Sequence, residues 1–322
     1  MSRTRDFHKP DTACRDTFFE KLNVNSKSKK AYHGYGKHGT VFVHCHNHVV
    51  DSLAGEVFHD YPFDDNDKKQ IMSLFKSILK KYRIEALSFC CMSNHFHALL
   101  VADNRKFSPK EMSKRYNSIH ENSIKLKLKA PMNESSPQCK RMAEHSNDIS
   151  HFMRDFQHAV TLYYNKKNKR KGTLWRGHFK SVLVEKSRAL VNMISYIELN
   201  PVRAQIVVDP ADYPFSFWGD WSQQGRHPFQ RSFNKHLRHL LSKENNIHNK
   251  EELQFAFQQE LKLQLSKSTK TLKSSLSQDQ KKPVDKLAHA YTTLHSKAQT
   301  SKTLHDDPRG NTMNPLTKNT DP

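Results

Sequence analysis

The order of the predicted elements places this chain in the α+β class. Strand and helix patterns alternate between about residues 39 and 221, and no glycine-rich phosphate-binding sequence follows any of the strands, which excludes the usual nucleotide-binding folds. The length of 322 residues allows one or two domains. Hydrophobic residues make up only 35% of the chain and mean hydropathy is -0.84, so part of the chain is expected to be poorly packed tail.

Each element of the first half has a local signal. Residues 40–50 are dense in β-branched and aromatic residues, which indicates a strand. Asp64 and Asp65 are candidate N-caps of an amphipathic helix. The apolar residues of this helix recur at helical spacing and are Ile71, Leu74, Phe75, Ile78, Leu79 and Tyr82. The most apolar stretch, residues 84–101, has apolar residues at both odd and even positions, which is typical of a central strand covered on both faces.

The middle of the chain is less regular. Ser108 and Glu111 have the spacing of a capping box, which predicts a short helix. Residues from about 121 to 147 break every pattern, and we interpret them as an insertion loop. A helix is predicted over about residues 149–165.

The last part of the folded region is predicted to contain a strand and a helix. Residues 173–185 are typical of a strand or a hairpin. Ser187 is the candidate cap of a helix that must end near Leu199, because Asn200 precedes Pro201.

Composition divides the chain into four parts. Residues 1–38 are expected to be an irregular basic segment, and residues 39–222 to be the folded core domain. Residues 223–265 could form polar helices, whereas residues 266–322 have the Ser, Thr, Lys and Gln content of a disordered tail.

The positive charge is concentrated beside aromatic residues. The chain carries 53 Lys and Arg against 32 Asp and Glu, and between residues 161 and 188 nine basic residues face one acid, Glu185. Cations that neutralise phosphates, next to aromatic faces on which bases can stack, are typical of a single-stranded nucleic-acid surface. The candidate DNA-binding residues are Lys166, Lys167, Lys169, Arg170, Lys171, Arg176, Lys180, Tyr164 and Trp175.

Cysteine usage and the N-terminus indicate a cytoplasmic protein without a membrane partner. The five cysteines show no CxxC spacing, which argues against a disulfide framework and against a structural zinc site. Residues 1–16 are polar and charged, and no apolar run approaches the length of a membrane span.

Two histidines are the sharpest candidate for metal chemistry. In Asn94-His95-Phe96-His97, side chains at i and i+2 of a strand point to the same face, so the two imidazoles lie side by side. Such a pair is half of a divalent-metal site and leaves positions open for substrate. The alternative is two hydrogen-bonded core histidines. Two polar side chains in an otherwise apolar strand favour the metal role, because without partners they would cost about 1–3 kcal/mol each.

A second candidate lies on the last predicted helix. Tyr196 and Asn200 are four residues apart and share one helical face. They could be a rim tyrosine and a C-terminal cap. If the helix crosses the histidine face, Tyr196 could instead act as a covalent nucleophile beside a metal. His44, His46 and His48 also share a strand face, and we prefer a structural or DNA-facing role for them over a second metal site.

Taken in order, several motifs resemble a known family. The segments CMSNHFHALLV, GTLWRGHFKSVLVE, YIELNPVRA and DPADYPFSFWGDW resemble the REP-associated tyrosine transposases, a branch of the single-tyrosine HUH (His–hydrophobic–His) transposases of the insertion-sequence type. The resemblance covers about residues 40–221. Two positions depart from the family pattern, Gln205 where glycine is usual and His178 where arginine is common.

The resemblance implies a fold, a reaction and a ligand set. The fold would be a ferredoxin-like antiparallel sheet flanked by helices. The activity would be Mg²⁺- or Mn²⁺-dependent cleavage and transfer of single-stranded DNA, with His95, His97 and Asn200 as metal ligands and Tyr196 as the nucleophile. The substrate would be single-stranded or hairpin DNA, bound by a monomer or a homodimer.

Three functions remain open from the sequence. The intact set of His95, His97, Tyr196 and Asn200 favours an active nuclease and strand transferase. The runner-up is a domesticated nucleic-acid-binding protein that keeps the fold but does not cleave. The third is a metal hydrolase that uses water as its nucleophile.

Overall fold

The computed structural model describes residues 39–50, 62–121, 131–241 and 247–275. The predicted N-terminal segment, residues 1–38, and residues 276–322 of the predicted tail lie outside the described residues. The chain divides into two compact units, residues 1–264 and 265–322, and the fold below is that of the first unit. Among the described residues, no helix combines the length and the apolar character that crossing a lipid bilayer would require.

A four-stranded antiparallel sheet forms the centre of the molecule. Its strands are β1 (Thr40–His48), β2 (Ile84–Cys91), β3 (His95–Asp103) and β4 (Lys180–Val184). Their order across the sheet is β2-β3-β1-β4, and the three pairings are antiparallel. With helices between β1 and β2 and between β3 and β4, this is the α+β class that the element order predicted and the ferredoxin-like arrangement that the family resemblance implied.

The apolar stretch at residues 84–101 is a hairpin, which corrects the prediction of one long strand. Strand β2 ends at Cys91 and β3 begins at His95, and the turn is closed by the hydrogen bond from Met92 N to His95 O at 2.8 Å. The sequence pattern misled because two adjacent buried strands carry the same run of apolar residues as one long strand. The two histidines therefore lie at the start of β3, beside the turn.

One face of the sheet carries the main hydrophobic core. Helices α1 (Asp65–Leu79) and, later in the chain, Ile149–Lys167 cover this face, and Phe75 stacks on Phe89 with 4.1 Å between ring centroids. The alternate residues of β3, beginning with Phe96, face this core. As predicted, Asp64 caps α1, in a capping box with Asp67.

Helices α2 (Pro109–Glu121) and α3 (Pro137–Glu144) form a smaller cluster beside the sheet. The capping box predicted for α2 is present, since Ser108 N donates to Glu111 Oε2 at 2.8 Å and Glu111 N to Ser108 Oγ at 3.2 Å. Helix α3 lies in the segment that we interpreted as a loop. It has only eight residues and buries few of them, so no apolar periodicity announces it.

The long helix α4 (Ile149–Lys167) is tied to the start of α1 by charge. Lys167 Nζ lies 2.8 Å from Asp64 Oδ2 and 2.7 Å from Asp67 Oδ1. Asp67 is buried, so this ion pair also provides a partner for its carboxylate. Within the next predicted element, residues 173–185, β4 joins the sheet and Trp175 forms an isolated antiparallel bridge to Val49, just after β1.

The later helices lie against the opposite face and the β2 edge of the sheet, where Ser216 bridges to Cys90 and Phe217 reaches the main core. These are α5 (Arg188–Glu198), α6 (Asn200–Arg203), α7 (Phe217–Gln224), α8 (Gln230–Leu241) and α9 (Lys250–Ser275), of which α5 and α8 lie against strand β2. As predicted, Ser187 caps α5 and accepts a hydrogen bond from Ala189 N.

The predicted polar extension, residues 223–265, contributes helices with buried aromatic residues. Trp221 lies 5.1 Å from Phe233 and 6.5 Å from Phe257, measured between ring centroids. All three side chains are at most 1% exposed. Residues 266–275, at the start of the predicted tail, continue α9.

A close backbone approach fixes the position of α7. A β-carbon built on Gly219 would lie 1.8 Å from the carbonyl oxygen of Tyr213, and Tyr213 is itself held by the hydrogen bond from its hydroxyl to Cys91 O at 2.6 Å. We predict that Gly219→Ala lowers the free energy of unfolding by about 1–3 kcal/mol, because the carbonyl cannot retreat.

Urea unfolding measures this effect, with Gln223→Ala, an exposed position of the same helix, as the control. Equal midpoints for the two variants would contradict the close approach.

Candidate functional site

The face of the sheet opposite the main core carries a cluster of histidines. In the register of β1 with β3, His46 is opposite His97 and His48 is opposite His95, and His44 lies on the same face. The ring centroids of His95 and His97 are 5.1 Å apart, those of His48 and His95 4.5 Å, and those of His44 and His97 5.2 Å. The predicted shared face is therefore a contiguous cluster of imidazoles.

The two histidines of the HxH motif differ in burial but share a hydrogen-bonding pattern. His97 is 3% exposed, and its Nδ1 lies 3.0 Å from His44 Nε2. His95 is half-buried, and its Nδ1 lies 2.6 Å from Asn94 Oδ1. In each imidazole, Nδ1 is within hydrogen-bonding distance of a neighbouring side chain. Nε2 is therefore the nitrogen that could bind a ligand.

The Nε2 atom of His97 is a buried polar atom without a hydrogen-bond partner among the described residues. An orphaned nitrogen of this kind costs about 1–3 kcal/mol unless something binds it. A divalent cation is the ligand that suits a neutral imidazole whose other nitrogen is hydrogen-bonded.

The buried histidines are held in the neutral form. Burial, followed by repulsion from His46, lowers the pKa of His44 to about 3. Burial also lowers the pKa of His97 well below its ordinary value, and the positive charge that His95 and the other neighbouring histidines can carry lowers it further. Neutral imidazoles have a free lone pair, so both groups are suited to metal binding or hydrogen-bond acceptance at neutral pH.

Helix α5 brings Tyr196 onto the histidine face. The Tyr196 ring lies edge-on to two imidazoles, with its centroid 5.7 Å from that of His97 and 6.3 Å from that of His44. The side chain is half-buried. The sequence spacing alone could not place this helix across the sheet, and the structure brings the tyrosine to the HxH motif.

A buried carboxyl group fixes α5 against the sheet. Glu198 is 1% exposed, and it accepts hydrogen bonds from Ser88 Oγ at 2.6 Å and from Trp218 N at 2.9 Å. Burial raises its pKa to about 7, against the opposing effect of these hydrogen bonds. Glu198 thus joins the helix that carries Tyr196 to strand β2 and to α7.

Arg203 is a site residue that sequence reasoning missed. Its guanidinium lies 4.8 Å from the centroid of the Tyr196 ring, and its Nη1 donates to Tyr196 O at 3.0 Å. A cation over an aromatic face is attracted to it and fixes the orientation of the ring. The sequence signal that could have identified Arg203 was its spacing of seven residues from Tyr196, since residues seven apart lie on the same side of a helix.

Asn200 acts in part as the helix cap that its position suggested. Its Nδ2 donates to Tyr196 O at 2.9 Å and to Ile197 O at 3.3 Å. The amide group is therefore oriented by the end of α5, and its oxygen is the atom left for another ligand. The side chain is half-buried.

Part of the basic segment borders the histidine face. Lys180 is opposite His46 in the register of β1 with β4, so the two side chains share that face, and Lys180 is exposed. The loop before β4 is held at the end of β1, because Arg176 N donates to His48 O at 2.8 Å.

The remaining basic candidates lie on helix α4 and the following loop. Lys166, Lys169 and Lys171 are exposed. Lys167 forms the ion pair with the start of α1, and Arg170 donates to Asn165 Oδ1 and to Thr173 O, so both contribute to the local structure.

The two aromatic DNA-binding candidates belong to the core, which corrects the expectation that they stack on bases. Tyr164 and Trp175 are each 6% exposed and are members of the main hydrophobic cluster. Trp175 also donates from Nε1 to Gln157 O at 3.0 Å. Their faces are covered by protein, so the interleaved aromatic pattern reflected packing under the basic surface.

Comparison with known proteins gives one family and one solved structure. Residues 45–136 match the family model described as "Transposase IS200 like". This confirms the resemblance to insertion-sequence transposases over that segment, which contains the HxH motif. A search of curated proteins found no match.

The solved structure is that of a REP-associated tyrosine transposase bound to a REP hairpin. It is 14% identical to this chain, the match covers 64% of this chain and 90% of that one, and the TM-score is 0.37.

The neutral buried histidine predicts an acid-sensitive fold. The unfolded chain binds a proton at His44 near pH 6.5, whereas the folded chain does so only near pH 3, so the stability is present above pH 6.5 and is lost as the pH falls towards 3. The free energy of unfolding should fall by about 1.4 kcal/mol per pH unit for this histidine.

Urea unfolding at several pH values between 7.5 and 5 measures the slope of the free energy of unfolding against pH. The variant His44→Gln should show a smaller slope, while His158→Gln, at an exposed position of α4, should match the wild type. An unchanged slope in His44→Gln would show that His44 is not the group responsible.

Proposed function

We propose that this chain, transposase-like over residues 45–136, is a metal-dependent endonuclease and strand transferase for single-stranded DNA, acting at hairpin sequences through a tyrosine nucleophile. The observation that carries the proposal is the position of the Tyr196 ring, 5.7 Å from the imidazole of His97. A tyrosine beside two histidines that can bind a metal ion supplies both parts of a covalent phosphoryl-transfer site.

The side chains present can hold a divalent cation, for which the family resemblance implies Mg²⁺ or Mn²⁺. His95 and His97 would hold it through Nε2, since both Nδ1 atoms have neighbours, and Asn200 would add its amide oxygen. The unpartnered Nε2 of His97 is the atom that most needs such a ligand. When bound, the cation polarises the scissile phosphate and offsets its negative charge.

Tyr196 would form the covalent bond to DNA. Its phenolic oxygen attacks phosphorus, the bond from phosphorus to the 3′-oxygen breaks, and the DNA remains attached to the tyrosine through a 5′-phosphate. The phenolic proton passes to solvent, and the departing 3′-oxygen takes up a proton to become a hydroxyl group. A 3′-hydroxyl of the same or another strand can reverse the step, so rejoining needs no external energy source.

Neighbouring residues would orient the nucleophile. The positive charge of Arg203 over the tyrosine ring favours the negative charge that develops on the phenolic oxygen, and Glu198 fixes the helix against the sheet. Tyr196 lies beside the histidines of its own chain, so the geometry needs no tyrosine from a second copy. This favours action by a monomer.

The basic surface would bind the strand through its phosphates. Lys180 lies on the histidine face itself, and Lys166, Lys169 and Lys171 are exposed on helix α4 and the loop that follows it. Contacts of this kind are independent of sequence and weaken with salt. The hairpin preference rests on the resemblance of the motifs.

The central test is a covalent adduct. With a labelled DNA hairpin carrying single-stranded flanks, Mn²⁺ and the wild-type chain, an adduct that survives SDS should form. We expect Tyr196→Phe to lose both the adduct and cleavage by at least about a hundredfold, since no group replaces the nucleophile, while its affinity for the hairpin stays within about twofold.

The matched control is Tyr163→Phe, which removes a phenol that binds Asp67 on the other side of the sheet, and it should keep the adduct. Cleavage that persists in Tyr196→Phe would instead indicate water as the nucleophile. Hairpin binding by the wild type with no cleavage over varied hairpins would indicate the non-cleaving protein.

The contact between His44 and His97 predicts a second, metal-specific effect. If His97 holds the cation through Nε2, its Nδ1 carries the proton and donates to His44 Nε2, so His44 selects the tautomer that can bind metal. We expect His44→Leu to weaken Mn²⁺ binding by roughly 10- to 100-fold.

Titration of Mn²⁺ by electron paramagnetic resonance measures this affinity without DNA. His44→Gln keeps an acceptor at the same distance from the backbone and should retain most of the binding, with circular dichroism showing that both variants fold. Equal affinity of the Leu variant and the wild type would mean that His44 does not orient His97.

A further inference from the structure

A second group of metal-ligating side chains lies at the corner between α3 and α4. His145 follows α3, Asp148 is the N-cap of α4, and His151 lies in the first turn of α4. One ligand atom from each of the three lies within 4.8 Å of the other two. Asp148 Oδ2 is 2.7 Å from His151 Nδ1 and 3.9 Å from His145 Nδ1.

The two imidazoles are arranged in parallel beside the carboxylate. Their ring centroids are 3.8 Å apart, with an angle of 12° between the planes. The Nδ1 atoms of both rings lie towards the same carboxylate oxygen.

The corner that carries these residues is held rigidly by the sheet. Ser146 and Asn147, which separate His145 from Asp148, are at most 3% exposed. Phe107 N donates to Ser146 Oγ at 2.8 Å, and Asn147 Nδ2 donates to Asp103 O at 2.9 Å. The backbone positions of the flanking ligands are therefore fixed before any ion binds, which is the condition for a preorganised site.

The carboxylate of Asp148 can serve the helix and an ion together. Its Oδ1 accepts from Ser150 N at 2.8 Å and from His151 N at 3.2 Å, which caps α4. Its Oδ2 is the oxygen that faces the imidazoles. Coordination through Oδ2 leaves the cap in place.

We propose that His145, Asp148 and His151 form a second divalent-cation site, separate from the histidine face. Two imidazoles and one carboxylate select a borderline transition cation of the Zn²⁺, Ni²⁺ or Co²⁺ class over Mg²⁺, which prefers oxygen ligands. The side chains are 42%, 33% and 27% exposed, so water can complete the coordination. The bound ion would link the end of α3 to the start of α4.

This site is independent of the proposed catalytic centre. Helix α4 covers the core face of the sheet, whereas Tyr196 and the HxH motif lie on the opposite face. The role that we assign to the ion is structural, because it would join the satellite helix α3 to the main body of the fold.

The test is a titration of the full-length chain with Co²⁺ after a chelator has removed bound metal. Visible absorption measures how many Co²⁺ ions each chain binds. We expect the double variant His145→Gln/His151→Gln and the single variant Asp148→Asn to bind one ion fewer than the wild type. Asparagine keeps the helix cap, so the single variant separates coordination from folding. Free Co²⁺ at about a hundred times its Kd for this site should raise the wild-type Tm by roughly 5 °C or more.

Two further variants complete the design. His158→Gln, at an exposed position seven residues after His151 on α4, should bind Co²⁺ as the wild type does. His97→Gln removes the proposed catalytic ion and should leave the corner ion bound, so the two sites can fail separately. Unchanged Co²⁺ stoichiometry and Tm shift in both Asp148→Asn and the double variant would overturn the corner site, whatever His97→Gln shows.

Discussion

The alternation of side chains along strand β3 is the constraint on which the candidate site depends. Phe96 turns into the aromatic core beneath α1 and α4, and this fixes the height and twist of the strand. His95 and His97 must then project from the other face, where β1 adds further imidazoles in register. Because the core face is densely packed, the strand cannot slip by one residue without burying both histidines among phenylalanines. The hydrophobic core thus positions the polar chemistry on its far side.

The nucleophile candidate is held by a second layer that depends on this sheet. Glu198 reaches from α5 to Ser88 on β2 and to the backbone of Trp218, and the aromatic cluster of α7, α8 and α9 lies behind it. The C-terminal helices are therefore structural partners of the site. Arg188 on α5 also pairs with Glu260 on α9, which connects the start of the tyrosine helix to the same cluster. A buried carboxyl group with satisfied hydrogen bonds makes this placement specific, since any displacement of α5 would leave it unpaired.

Charge is distributed between structure and surface. Lys167 and Arg170 serve ion pairs and loop contacts, whereas Lys180 stands exposed beside the histidines. A high net charge by itself does not identify which cations meet a polyanion. The burial of Tyr164 and Trp175 shows that aromatic residues within a basic sequence can stabilise the scaffold beneath the binding surface.

Local sequence patterns determined the α+β class, the caps at Asp64 and Ser187, and the shared face of His95 and His97, because helix and strand periods are properties of neighbouring residues. The turn inside residues 84–101 was not predicted, because only strand pairing distinguishes two adjacent buried strands from one long strand. The short helix α3 was not predicted, because it buries too few residues to give an apolar period. Only the tertiary structure placed Tyr196 beside His97, brought Arg203 over its ring, joined His44 to His97 and buried Trp175. These contacts join residues on separate strands, helices and loops, and the packing of α5 across the sheet, which is a long-range interaction, decides them.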